Sequence, residues 1–313
     1  MVAWRERWAE LPVLRVAMRL RRPRAARPPL LPALLLIACL GSPAGSVTPA
    51  WAAGSQGATG PGYRFGVFPY VPALTIDRMF GPITASFAAA LDRPVYLKTR
   101  STFEKFAEEL SKQTYDIVFV HPFLYVEAAD RYRYRPLVRV PGQLTAVVMV
   151  RAERPWRAWS DLAGQVIAIP SALTAVSELT RVALVEAGLS PGIDTTLRHY
   201  RTKRYCVRAV SAGAADACVL PRLVPPQIAA LGAGALRIMA ETPAINHLVF
   251  ATHPRVSELE RRKLLALILS WPDTEQGRAI LATGSWPPFV AAHDADYAQV
   301  RAYDARLRKL AQR

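Results

Sequence analysis

Hydrophobic and polar positions alternate in two registers along residues 63–252, and the two registers take turns. YRFGVF at Tyr63–Phe68 reads as a strand. Thr75–Leu91 follows with apolar residues at helical spacing, at Ile76, Met79, Phe80, Ile83 and Phe87. Pro94–Lys98 is a predicted strand. Thr102–Lys112 is a predicted helix, opened by Ser101 and Thr102 with glutamate behind them. Tyr115–Val120 (YDIVFV) is apolar without alternation, as strands of a parallel sheet buried on both faces tend to be. Two extended runs come next, Tyr134–Val140 and Leu144–Val150.

A second set starts near Ser160-Asp161-Leu162. Strands are predicted at Val166–Ile169, Thr196–Tyr200 and Ala215–Val219, and helices at Leu173–Ala187 and Arg204–Ala212. A further helix and strand reach about Ala240. His247–Thr252 is extended again, and Val256–Arg313 is mostly helical. Two βαβ sets joined by paired extended segments predict an α/β fold of two lobes with doubly wound sheets. Residues 63–147 plus 247–313 form the first lobe and 148–246 the second. Crossovers near Ala146–Arg151 and Asn246–Ala251 form a two-segment hinge, with the ligand site between the lobes at the carboxyl ends of the strands.

The chain before residue 63 has a different pattern. Arg15, Arg19, Arg21, Arg22, Arg24 and Arg27 precede a short apolar core at Leu30–Leu40, then small residues. This is the layout of an export signal, 1–53, followed by a Gly/Ser/Pro linker, 54–62. The apolar core is about half the roughly twenty residues a membrane span needs. Two exits are open. Leu36-Ile37-Ala38-Cys39 has the form of a lipobox, which makes Cys39 the lipid-bearing residue of an inner-membrane-anchored lipoprotein. Ala50-Trp51-Ala52 before Ala53 has the form of ordinary cleavage, which releases a secreted or periplasmic protein. Met18 opens a signal of more usual length than Met1 does.

Charge and chemistry narrow the picture. The formal net charge is +16, of which the eight arginines and two glutamates of 1–53 supply +6. The remaining +10 suits an anionic ligand or surface, and export argues against nucleic acid. The five histidines form no HExxH, and no GxSxG, P-loop or GxGxxG is present. No metal and no cofactor are expected.

The ordered pieces FGVFPYVPA (65–73), YDIVFVHPFLYVEAADRYRYRPLVR (115–139), SDLAGQVIAIPSALTA (160–175), AVSAGAADA (209–217), TPAINHLVFATHPRV (242–256) and TEQGRAILATGSWPPFVAAHDADYAQVRAY (274–303) resemble the phosphate/phosphite/phosphonate-type substrate-binding proteins of ABC transporters. These are periplasmic binding proteins of type II. The resemblance implies a non-catalytic monomer that closes over a small oxyanion and delivers it to an ABC permease. A ligand-sensing subunit of a signalling system with the same fold is the alternative, and a secreted enzyme lacks a nucleophile–base pair.

What the resemblance implies for single residues is as follows. Tyr70, after the first strand, faces the ligand or lines the hinge. His121 and Tyr125, just past YDIVFV, contact the ligand, or His121 is structural. Ser171 and Thr174 open a helix whose free N–H groups and hydroxyls suit an anion, or simply cap it. At 202–206 the family's Thr-Lys-Thr-His-type run is replaced by Thr202-Lys203-Arg204-Tyr205-Cys206, so a ligand histidine is missing; either Lys203 or Arg204 pairs with the oxyanion, or the ligand is a different one and not a phosphonate. Asp216 accepts a hydrogen bond from a protonated oxyanion or acts as a cap. The Asn246-His247 pair lines the hinge. Cys206 and Cys218 are an even pair in an oxidising compartment, joined in a disulfide or left as two buried thiols.

Overall fold

The computed structural model describes residues 62–171, 173–200, 202–222 and 229–310. The signal segment, Cys39, both processing points and nearly all of the linker lie outside the described residues.

The first half builds β1 (Tyr63–Val67), α1 (Ala73–Leu91), β2 (Val95–Lys98), α2 (Phe103–Ser111), β3 (Ile117–Val120), α3 (Pro122–Tyr132) and β4 (Arg135–Arg139). β5 (Gln143–Leu144) and β6 (Ala146–Arg151) follow, then β7 (Val166–Ile169), α4 (Ala175–Glu186), β8 (Thr196–His199), α5 (Lys203–Ser211), β9 (Ala217–Pro221) and β10 (Leu236–Glu241). The chain returns through β11 (Ile245–Asn246) and β12 (Val249–Thr252). It ends in α6 (Glu258–Leu269), α7 (Glu275–Gly284), β13 (Val290–Ala291) and α8 (Ala298–Leu310), with 3-10 turns at Trp271–Asp273 and Asp294–Tyr297.

Among the described residues three sheets result. A six-stranded sheet runs β13-β4-β12-β3-β1-β2, a five-stranded one β10-β6-β9-β7-β8, and β11 pairs β5 alone. In each large sheet a parallel trio, β2-β1-β3 or β8-β7-β9, is extended by an antiparallel strand, β12 on β3 or β6 on β9. The chain therefore passes between the sheets twice, and the β5–β11 ribbon, Leu144 opposite Ile245, holds the two passages together. The fold is α/β with two lobes and a two-segment hinge, as the pattern predicts. The extended run read as Leu144–Val150 is broken at Thr145, and all of Ala146–Arg151 belongs to the second sheet rather than to the crossover.

Burial follows the pattern. All four residues of β3, IVFV, are buried, because helices cover both faces of this central strand. On β6 the residues sort by parity. Val147 and Met149 join Val207, Val210 and Leu220 on one face of the five-stranded sheet, while Ala146, Val148 and Val150 join Ile167, Ile169 and Val219 on the other. The first lobe has one large core that includes Phe65, Phe80, Phe87, Phe119 and Phe250. That core also takes in Leu173, Ala175, Leu179 and Val182, which precede or lie on α4 of the second lobe. Cys206 on α5 and Cys218 on β9 form a disulfide, with Cα atoms 5.6 Å apart, on the apolar face between that helix and the sheet.

Candidate functional site: the cleft between the lobes

The carboxyl ends of β1, β2 and β3 face those of β7 and β8. This is shown by two contacts that cross from lobe to lobe. His121 at the end of β3 places Nε2 2.9 Å from the carbonyl oxygen of Leu173. Ser171 after β7 places Oγ 3.4 Å from Oε1 of Glu104 on α2. Helices start along both rims, and four of the starts are capped by a side chain: Thr102 on Lys105 N–H, His121 on Leu124 N–H, Thr174 on Ser177 N–H and Thr202 on Tyr205 N–H. Helix starts carry partial positive charge and spare N–H donors, so the cleft is lined for anions.

The cleft end of β1 is aromatic. Tyr70 stacks on Phe68 with ring centroids 4.8 Å apart and meets Phe80 edge-on. Its hydroxyl is buried with no hydrogen-bond partner, and burial raises its pKa, which keeps it a neutral O–H donor. Thr99 Oγ1, just past β2, is also buried without a partner. Unpaired buried hydroxyls cost stability, and two of them lie past the cleft ends of neighbouring strands. Other unpaired buried polar atoms, such as Tyr115 Oη and Trp271 Nε1, belong to residues deep in the first-lobe core.

His121 has both ring nitrogens in use. A carbonyl only accepts, so Nε2 carries the hydrogen toward Leu173, and Nδ1 accepts from Leu124 N–H at 3.4 Å. Burial pulls its pKa down to about 3, against a smaller upward pull from the Leu173 bond, so the ring is neutral. Tyr125, one turn on, is fully buried. Its hydroxyl donates to Asp294 Oδ1 at 2.7 Å and its ring packs on Tyr297 at 4.6 Å. It braces the C-terminal 3-10 turn against α3. The hinge is tied to the same turn, because Asn246 Nδ2 donates to the Asp296 carbonyl at 2.7 Å.

In the second lobe, Thr174 and Ser177 spend their hydroxyls on the loop. Thr174 Oγ1 donates to the Ser171 carbonyl at 3.1 Å, and Ser177 Oγ does so at 2.7 Å. These bonds fix the turn and leave the Ser171 hydroxyl as the one that reaches the cleft. Lys203 sits in the first turn of α5. It is exposed, and desolvation by the surrounding protein lowers its ammonium pKa. Arg204 turns away, with Nη2 3.2 Å from the Ala230 carbonyl.

Asp216 is not brought to the cleft. It lies at the amino end of β9, opposite the rim. There its Oδ2 accepts from Val166 N–H at 3.0 Å, and Arg154 Nη2 lies 3.3 Å from Oδ1. The first lobe repeats the device: Asp116 before β3 accepts from Arg64 N–H at 2.7 Å and from Arg255 Nε at 3.0 Å. Both aspartates close the gap between two parallel strands on the side away from the cleft.

Besides Thr99, two cleft residues were not singled out in the sequence. Glu104 is one. The other is His199, the last residue of β8, whose Nδ1 lies 2.8 Å from the Pro170 carbonyl and must carry the hydrogen. Nε2, on the far edge of the ring, is left for another partner. Burial chiefly lowers the His199 pKa; the Pro170 bond and Glu104 raise it, and Arg181 lowers it. Only its place, three residues before the Thr202 cap and beside the end of β7, could have marked it. Among the described residues no His/Cys/Asp/Glu group has the form of a metal site, and no helix is long and apolar enough to cross a membrane.

Solved structures share this architecture. PhnD1 from Prochlorococcus marinus, in complex with methylphosphonate, superimposes with a TM-score of 0.68 at 15% identity, over 79% of this chain and 98% of that one. A binding protein component of an ABC phosphonate transporter from Pseudomonas aeruginosa gives 0.66 at 12% identity, over 80% and 87%. A Xanthomonas citri protein bound to chloride gives 0.67 at 14%, over 79% and 98%. No curated protein matches the sequence. Residues 65–297 match the family described as ABC transporter, phosphonate, periplasmic substrate-binding protein. On that match the chain belongs to this family of extracytoplasmic substrate-binding proteins, which are not enzymes.

Proposed function

We propose that this protein holds a phosphonate- or phosphate-like oxyanion between its two lobes and presents it to an ABC permease. The observation that carries the reading is the set of donors at one cleft: the unpartnered Tyr70 hydroxyl from the first lobe, and the Ser171 hydroxyl and Lys203 from the second. His199, with its Nδ1 hydrogen spent on Pro170, adds an acceptor at Nε2 beside them. Lys203 brings a fixed positive charge to the start of α5, where the helix dipole adds to it. His121, Tyr125 and Thr174 hold the walls in place, Arg204 holds α5 against the Ala230 segment, and Asp216 stays on the far side of the sheet.

Calorimetry with methylphosphonate, phosphite and phosphate tests the reading. Ser171→Ala and Lys203→Ala each remove one hydrogen bond to a charged group, so each should weaken binding by roughly ten- to a hundredfold. Asp216→Asn should leave affinity unchanged. If wild type binds none of these ions, the oxyanion reading fails.

A further inference from the structure

The two lobes repeat one local plan, shifted by 100 positions. Thr102 caps α2 (Phe103–Ser111) and Thr202 caps α5 (Lys203–Ser211). Asp116 and Asp216 accept from the neighbouring strand at the far end of each sheet. β2 lies parallel to β1 as β8 lies parallel to β7. In this plan Thr99, the first residue past β2, stands where His199 stands at the end of β8: three residues before the capping threonine, at the cleft end of its sheet. Phe103 stands where Lys203 stands. It meets Phe68 edge-on, and Phe68 stacks on Tyr70.

Thr99 Oγ1 is buried without a partner. Among the described residues, the hydroxyls in that condition are those of Tyr70, Thr99, Tyr115, Thr195 and Thr252. Their places differ. Tyr115 and Thr195 lie just before β3 and β8, and Thr252 pairs with Ile117 at the same far end. Tyr70 and Thr99 are the two at the cleft. A buried hydroxyl left unpaired costs stability, and an apolar group of the same shape in its place is close to neutral or stabilising. Packing alone therefore suits valine at position 99 at least as well as threonine. The hydroxyl has a use there when a group outside the chain pairs with it.

We propose that Thr99 contacts the ligand: with Tyr70 it forms a pair of neutral donors on the first-lobe wall that take an oxygen of the anion, while Lys203 brings the charge from the second lobe. The proposal rests on the oxyanion reading and adds a contact residue to it. Phosphate, phosphite and methylphosphonate share the oxygens that such a pair would hold, so Thr99 should matter alike to all three.

The test compares two substitutions of one chemistry, Thr99→Val at the cleft and Thr252→Val at the far end, with Thr99→Ser as the variant that keeps the hydroxyl. Melting is followed without ligand, and calorimetry gives the affinities for methylphosphonate, phosphite and phosphate. Both valine variants should melt at or above the wild-type temperature. Only Thr99→Val should lose affinity, by about tenfold or more for each anion that wild type binds, the scale of one hydrogen bond to a charged group. Thr99→Ser should keep most of it. A ligand contact moves affinity down without lowering the melt, whereas loss of a structural hydroxyl lowers both. If Thr99→Val binds as wild type does, if it melts below wild type, or if Thr252→Val loses as much affinity, the contact is wrong and the oxyanion reading stands. If wild type binds none of the three anions, both fall.

Discussion

His121 offers a test of the lobe contact that needs no ligand. Its pKa is about 3 in the folded protein against an ordinary 6.5, chiefly because the ring is buried at the seam. Between those two values the unfolded chain binds a proton that the folded chain refuses. The contribution is therefore complete above pH 6.5 and is lost as pH falls toward 3. At pH 5 the unfolded histidine is about 1.5 pH units below its pKa and the folded one is still neutral, which corresponds to about 2 kcal/mol of lost stability. Glu127, Glu178 and Asp304 line the same small cavity as His121 and favour the imidazolium, so 2 kcal/mol is an upper figure.

The perturbation is His121→Asn. Asparagine keeps an acceptor for the α3 cap but does not titrate. Urea unfolding at pH 7 and pH 5 gives the loss for each protein. His247, whose pKa burial lowers to about 4, contributes to both and cancels in the comparison. The wild type should lose up to about 2 kcal/mol more than the variant between the two pH values. Equal losses would refute the reasoning, since they would mean that His121 takes up its proton in the folded state at no cost.

Two further outcomes follow from packing. Gly66 lies between β2 and β3, and a Cβ there would meet the Tyr115 ring at 2.6 Å; that ring is stacked on Phe106 and cannot retreat, so Gly66→Ala should cost about 1–3 kcal/mol in denaturant unfolding. Replacing Cys206 and Cys218 together by alanine should cost about 2–4 kcal/mol and make the melting temperature insensitive to reductant, whereas an unchanged melt would show that the bridge constrains little.

The fold was legible because its signals are local. IVFV is apolar throughout, Thr102, Thr174 and Thr202 stand where caps are needed, and turns separate each strand from the next helix. The site was legible only in part. Ser171 and Lys203 are marked by their place at helix starts. Asp216 carries the same mark, a carboxylate beside a strand, and sequence alone does not say at which end of the sheet it sits. The register Ile167 opposite Ala217 decides that, and it places Asp216 beside Val166 at the far end. His199 and Glu104 were hidden for the converse reason. Neither belongs to a motif, and each gains its meaning from residues 29 and 67 positions away. Tyr125 gave no such signal of its surroundings: it lies one turn past the start of α3, where its hydroxyl meets Asp294 of the C-terminal turn.

Closure links these observations to function. A ligand between two lobes stabilises the closed form only by binding it more tightly than the open one. In this protein some contacts between the lobes belong to the chain itself. Leu173 gives its carbonyl to His121 and its side chain to the first-lobe core, and Leu179 and Val182 on α4 follow it there. Ser171, two residues earlier, is the hydroxyl that meets Glu104. The same short segment thus carries the lobe contact and the proposed ligand contact, so neither can move without the other.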